Sequence, residues 1–362
     1  MSVVIAFPSA FANKWALAQS IRKVAQERIS VLIEGEYIVC ESNNPVDLAY
    51  RLGKLFGLEK VAIAKKASTN FYDLSRAIVE LAAKLIIPGA SFYIKVLPQA
   101  TKHDYVGRDI EFATSSKLTV KLSSINVKPA KTEEDASHLI LILIGKQSAY
   151  ICIQVSGAPG GLVAGSQGRV VSSIHSSLSF LSSLMAAKAG FESTIVLPYI
   201  DERQLESNAR LAQMFASKTG RKKQKILVIP INLPAMKGAH ACLLKEKMMS
   251  KILIRQKDDR IVFPLTTALH PVWFIESIMQ ETLSVGKTPF LPLIFMSSEL
   301  VTCAQDAGIE LHLSTASVTA EEDKLQKYSS IIESEAKVAI KHAKTLELKV
   351  GPNYLHDIID SI

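Results

Sequence analysis

The 362-residue sequence predicts a protein of mixed α/β and α+β class in three successive domains. These are an N-terminal ferredoxin-like domain over residues 1–68, a second α+β domain over 69–165, and a doubly wound parallel-sheet domain over 166–362. Three observations carry this. The first 68 residues read strand, helix, two strands, helix, strand, the order of a small sheet with helices on one face. The next segment opens on a long helix and closes on two alternating runs joined by a short turn. From Gly168 onward single strands alternate with single helices, the rhythm of a parallel sheet covered on both faces.

Val3 to Phe7 form a short apolar run suited to a buried strand, and Ala12 to Arg28 carry apolar residues at helical spacing. Ile29 to Glu41 alternate on either side of Glu34, Gly35 and Glu36, so a hairpin is expected with the glycine at its turn. Asn43 or Asn44 caps a helix over Pro45 to Phe56, and Lys60 to Lys65 return as a strand. Asn70 and Asp73 open a helix to Ile86 that Pro88 and Gly89 end. Ser91 to Leu97 then form a strand. A helix is expected near Arg108 to Ser116, a strand at Leu118 to Leu122, and a strand pair at Leu139 to Ile144 and Ala149 to Val155, turning at Gly145 to Ser148.

The third domain reads as strands Val170 to Ile174, Thr194 to Tyr199, Ile226 to Ile231 and Ile261 to Leu265. Helices over Leu178 to Ala189, Arg203 to Thr219, Ala241 to Arg255, Trp273 to Leu283 and Ser297 to Ala307 separate or follow them. A last helix is expected from Thr319 to Leu346, with Thr319 as cap and Glu321 and Glu322 at its positive end.

Hydrophobic residues at 48% against 21% charged describe a chain that folds rather than a disordered tail. Cys40, Cys152, Cys242 and Cys303 lie far apart with no C-x-x-C pair, which excludes a zinc ribbon and a redox dithiol and makes each a small core residue. The histidines show no metal-ligand spacing, so no metal is expected. The first nine residues lack a leader pattern and no segment is long and apolar enough to span a bilayer, so the expectation is a cytoplasmic protein.

The formal charge of +8 points to a polyanion, nucleic acid above all. The charge is uneven. Lys95, Lys102, Arg108, Lys117, Lys121, Lys128 and Lys131 crowd one stretch, and Arg221, Lys222, Lys223 and Lys225 another; a solvated loop is the competing reading for each. Serines from Ser172 to Ser183 suggest a hydrolase only superficially, because no Gly-x-Ser-x-Gly elbow accompanies them.

Gly157-Ala158-Pro159-Gly160-Gly161-Leu162, followed by Gly165 and Gly168-Arg169-Val170, resembles the junction of tRNA 4-thiouridine synthetases, the thiamine-type sulfurtransferases, where an RNA-binding THUMP domain meets a nucleotide-binding PP-loop domain. Three further stretches follow the same family in order. The helix ending at Pro88-Gly89 with Ser91 to Val96 is similar to the THUMP pattern. Cys242 to Met249 resembles a family helix, and Pro289 to Ile294 with Met296 a late strand-to-helix passage.

The resemblance implies tRNA as partner, gripped at its acceptor end, with Lys95, Lys102, Arg108, Lys117 and Lys121 facing phosphates, Arg169 as a further RNA-binding residue, and the Gly160-Gly161 turn allowing close backbone approach. A homodimer, or association with an active tRNA-modifying enzyme, is also implied. Active members carry Ser-Gly-Gly-x-Asp-Ser after the first strand of the PP-loop domain, where glycines let N–H groups cradle phosphate. The matching residues here are His175-Ser176-Ser177-Leu178-Ser179-Phe180, a degenerate nucleotide site without both glycines, the aspartate and the last serine. The second family motif, Gly-Glu with Gln-x-x-Ser-Gln-Thr, meets Pro264 to Trp273, where His270 is either a base or a helix cap before Pro271. No cysteine follows Cys303 to handle sulfur.

The expectation is therefore a tRNA-binding relative without catalytic residues or cofactor. The alternative keeps ATP and Mg in an active sulfurtransferase, for 4-thiouridine or thiamine thiazole, or another tRNA-modifying enzyme, rebuilt on Ser176, Ser177, Ser179 and His270. A basic surface that meets an acidic protein is a third reading.

Overall fold

The structure is a computed structural model that describes residues 2–25, 28–97, 103–219, 223–233, 239–311 and 320–349. The chain divides into two compact units, 1–161 and 162–362. Lys102, Arg221, Lys222, Thr319 and residues 312–318 lie outside the described residues.

Unit 1 begins β1 (Ser2–Pro8), α1 (Lys14–Val24), β2 (Ser30–Glu34), β3 (Tyr37–Glu41), α2 (Pro45–Leu52) and β4 (Leu58–Ala67). Asn13, Asn44 and Asn70 each cap a following helix, the carboxamide oxygen accepting N–H groups of the first turn. β1 pairs antiparallel with β3 and β4, and β2 with β3, giving the ferredoxin-like order β2-β3-β1-β4. The unit continues with α3 (Phe71–Leu85), β5 (Ser91–Val96), α4 (Gly107–Leu122), β6 (Lys128–Pro129), β7 (His138–Ile144) and β8 (Ala149–Gly157). β8 pairs with β4, so residues 1–68 and 69–161 share one sheet of order β2-β3-β1-β4-β8-β7-β5-β6.

One expectation fails here. Leu118 to Leu122 are the last turn of α4 and make no strand. Ile110, Thr114, Leu118 and Leu122 are buried at a spacing of four, which only a helix puts on one face. Their packing against α3, with each aliphatic side chain contributing about 1.5–3 kcal/mol, overrides the β propensity of Thr119 and Val120.

Unit 2 is β9 (Arg169–Ser173), α5 (Ser177–Lys188), β10 (Glu192–Tyr199), α6 (Glu202–Lys218), β11 (Lys223–Pro230), α7 (Ala239–Ile254), β12 (Arg260–Val262), α8 (Val272–Ser284), β13 (Thr288–Phe290), α9 (Glu299–Ala307), α10 (Glu322–Gln326), α11 (Ser329–Lys341) and β14 (Lys344–Lys349). β13, β12, β9, β10 and β11 are parallel in that order, and β14 closes the edge antiparallel to β11. Alternate residues of the sheet face opposite layers: Val171, Ile261 and Phe263 pack with α7, α8 and α11, while Val170 and Val262 pack with Ala186 of α5. The mixed, multi-domain α/β class is as the sequence predicts.

The long final helix is not formed. α11 ends at Lys341, and Lys344 to Lys349 turn back as a strand because Thr345, Leu346 and Leu348 alternate in register with Leu227, Ile226 and Gln224. Among the described residues no helix is long and apolar enough to cross a membrane.

Candidate nucleotide and RNA sites

In a doubly wound sheet the cleft opens at the carboxyl ends of the strands where the chain reverses its direction of winding. Here β9 leads through α5 to β10 on one side, and α7 later returns the chain to β12 on the other. The β9–α5 loop and the segment after β12 therefore meet at the switch point. Side chains from both, with α7 behind them, form a buried polar cluster.

His175 is its centre. Its Nε2 lies 2.7 Å from Glu246 Oε1, its Nδ1 3.1 Å from Ser173 Oγ, and its carbonyl accepts the Lys245 ammonium at 3.0 Å. Glu246 is buried, and burial alone pushes its carboxyl up; His175, the hydrogen bond it donates, His270 and Lys245 outweigh this and hold the group below the usual carboxylate range. Burial lowers His270, opposed by Glu246, and its Nδ1 accepts the Thr266 N–H at 3.2 Å. His270 caps no helix; Pro271 occupies the cap position of α8.

Three N–H groups around the start of α5 are engaged by nearby hydroxyls. Ser179 Oγ accepts the N–H groups of His175 and Ser176 at 2.8 and 2.9 Å, and Ser176 Oγ accepts the N–H of Ser179 at 3.1 Å. A helix N-terminus binds anions through such N–H groups only while they are unclaimed. Ser176 has φ −161°, extended backbone open to any residue. The two lost glycines therefore leave no strain, and what opposes an anion is the engagement of these three donors. Ser182 and Ser183 hydroxyls donate to the carbonyls of Phe263 and Ser179, inside the protein and remote from any nucleophilic role.

In unit 1 the basic residues spread over several surfaces. Arg108, Lys117 and Lys121 are exposed on α4; Lys117 and Lys121 stand one turn apart on one flank, with Arg108 on the opposite flank. Lys117 also donates to Ser75 Oγ at 3.1 Å. Lys95 is ion-paired with Glu133 at the surface. Gly160 and Gly161 have φ of 68° and 79°, and a β-carbon at Gly160 would meet open space. The turn is anchored by Gly160 N–H to the Leu58 carbonyl at 2.7 Å and Gly57 N–H to the Gly160 carbonyl at 2.8 Å. Arg169, in unit 2, lies 3.8 Å from Glu192.

No family model matches the chain. A probable tRNA sulfurtransferase of Lactobacillus acidophilus is 25% identical over 177 residues, covering 47% of this chain and 42% of that protein. A 4-thiouridine synthetase crystallised as an RNA complex with bound ATP has a TM-score of 0.73 at 14% identity, over 96% of this chain and 99% of that one. The chain is related to the tRNA 4-thiouridine synthetases. PH1313 from Pyrococcus horikoshii shares the fold, with a TM-score of 0.63 at 20% identity over 84% of this chain and 99% of that one. At these identities the structural likeness establishes the fold, and the matched stretch spans less than half of the curated relative.

His175, Ser176, Ser177 and Ser179 lie at the β9–α5 turn. Glu246, Lys245 and Thr266 were missed. The signal for Glu246 was present: it stands three residues after Leu243 and three before Met249, a carboxylate on the buried stripe of α7 that needs a cationic partner. The cysteines divide. Cys40 and Cys152 are buried, their thiols pushed up to about 12 by burial, but Cys242 is exposed and Cys303 half-buried, correcting the expectation that all four are core residues. Among the described residues no group of His, Cys, Asp or Glu is placed to hold a metal ion.

Proposed function

We propose that this protein binds tRNA without the ATP-dependent sulfurtransferase chemistry of its relatives. The observation that carries the proposal is the α5 N-terminus, whose N–H donors at residues 175, 176 and 179 are satisfied by Ser179 and Ser176 hydroxyls. Behind it, the His175 ring is engaged by Glu246 and the Lys245 ammonium by the His175 carbonyl. A nucleotide phosphate at this turn would compete with these bonds and would lack the glycine cradle of the family, so these residues fit ATP poorly.

RNA binding is supported by the fold, shared with a synthetase whose crystals contain RNA, and by a cationic unit 1. In this reading residues 69–165 act as a THUMP domain and Arg108, Lys117 and Lys121 hold phosphates, with the Gly160-Gly161 turn as a separate point of close backbone approach. A-form RNA hides its base edges in a deep groove, so such contacts position the molecule and read little sequence. Lys95 is a lesser contributor because Glu133 neutralises it.

Filter binding of tRNA across a salt series tests the RNA half: affinity falls by roughly 0.7–0.9 log units per log unit of salt for each phosphate neutralised. A flat series refutes it. Calorimetric titration with Mg-ATP tests the other half, with no heat of binding expected. Saturable heat, or a thiolated tRNA product, establishes the alternative of an active tRNA-modifying enzyme with a rebuilt site.

A further inference from the structure

Unit 1 holds three large aromatic side chains at one end of its helix layer, almost bare. Phe11, Trp15 and Tyr50 are 88%, 75% and 66% exposed, and grouped exposed aromatics mark contact surfaces. The topology groups them. β2 runs parallel to β1 while β3 and β4 run opposite, so α1 and α2 are antiparallel neighbours. The N-terminus of α1, with Trp15, therefore shares an end with the C-terminus of α2, with Tyr50.

Hydrogen bonds tie the remaining pieces to that end. The Ser9 N–H donates to the Gly57 carbonyl at 2.9 Å and its hydroxyl donates to the Gly161 carbonyl, which ties the loop that carries Phe11 to the Gly160-Gly161 turn. Lys54, three residues before Gly57, places its ammonium 4.0 Å from the Tyr50 ring centre and 2.9 Å from the Tyr50 hydroxyl.

We infer that this end of unit 1 is a stacking platform for unpaired nucleotides, on which Phe11, Trp15 and Tyr50 take base faces while Lys54 and the Gly160-Gly161 turn meet the sugar-phosphate. The inference rests on the RNA-binding reading and extends it to residues outside the basic helix α4. Charge selects RNA as the occupant: unit 1 carries 19 lysines and arginines against 14 acids, and Lys54, lying over one face of the Tyr50 ring, leaves the other face for a base and sets its charge beside that base's phosphate. Stacking is tolerant of sequence because every base presents a π-face.

The test uses the full chain with Trp273→Phe, so that Trp15 is the single tryptophan, and a hexameric oligoadenylate as probe. Trp15 fluorescence is quenched on titration. With a labelled hexamer, Trp15→Leu and Tyr50→Leu each weaken binding by about tenfold, Trp15→Phe restores it, and the salt slope is unchanged. A blunt RNA duplex binds these variants as it binds the parent, and loses affinity instead on replacing Arg108, Lys117 and Lys121. Equal hexamer affinity for parent and leucine variants, with duplex binding intact, overturns the platform and leaves the RNA reading standing. Failure of the parent to bind either RNA overturns both. Unchanged RNA binding with lost self-association in the leucine variants overturns the platform in favour of a protein-docking face.

Discussion

Ser179→Ala removes one oxygen from the interior and tests whether the β9–α5 turn is held by its own side chains. Ser179 is fully buried, and its hydroxyl accepts two N–H groups and donates to the Ser176 carbonyl at 2.9 Å. The His175 N–H then has no partner in a buried loop, which costs about 1–3 kcal/mol; loss of the reciprocal cap on α5 costs about 1 kcal/mol more. The expected loss is about 2–4 kcal/mol, or roughly 4–16 °C in Tm at about 2–4 °C per kcal/mol for a unit of this size. Trp273, packed against the core of unit 2, reports the transition in a Trp15→Phe background by fluorescence in a urea series. A loss below about 0.5 kcal/mol, the range of an ordinary surface change, refutes the account of a self-satisfied turn and with it the physical case against a phosphate there.

Replacing Arg108, Lys117 and Lys121 together by alanine weakens tRNA binding and reduces the salt slope by roughly one for each phosphate no longer neutralised, whereas Lys95→Ala changes both little; filter binding decides. His270 has its folded pKa depressed by burial, so its contribution is complete above the ordinary histidine value and is lost as pH falls from there through the folded pKa. Glu246, also depressed, adds a second loss below the ordinary carboxylate value, and urea midpoints of unit 2 followed from pH 7 down to about 2 fall in that order, with Glu246→Gln removing the lower step. Gly190 has φ 91°, and a β-carbon there would stand 2.7 Å from Ser166 Oγ and 2.9 Å from Leu162 Cβ. Gly190→Ala therefore destabilises unit 2 by about 1–3 kcal/mol, measured by the same Trp273 signal.

Much of the fold was legible because local signals and packing agree. Asn44 and Asn70 were read as caps and are caps; the alternation around Gly35 is the β2–β3 hairpin. Where two periods fit the same residues, the sequence misled: Leu118 to Leu122 alternate well enough for a strand, and the final segment reads as one helix until β11 supplies an edge for Lys344 to Lys349. The candidate site divides in the same way. The serines that replace the phosphate cradle lie together in sequence, so their loss of glycine was visible.

By itself, then, the sequence determined the helices and strands that carry their own caps and turns, the net positive charge, and the absence of a glycine-rich loop after β9. Tertiary structure decided which charges remain available, since Lys95 meets Glu133 across 38 residues and His175 meets Glu246 across 71. Pairings of that separation depend on strand order and helix placement, and the energy of a charge depends on its nearest partner and its burial, neither of which a linear spacing records.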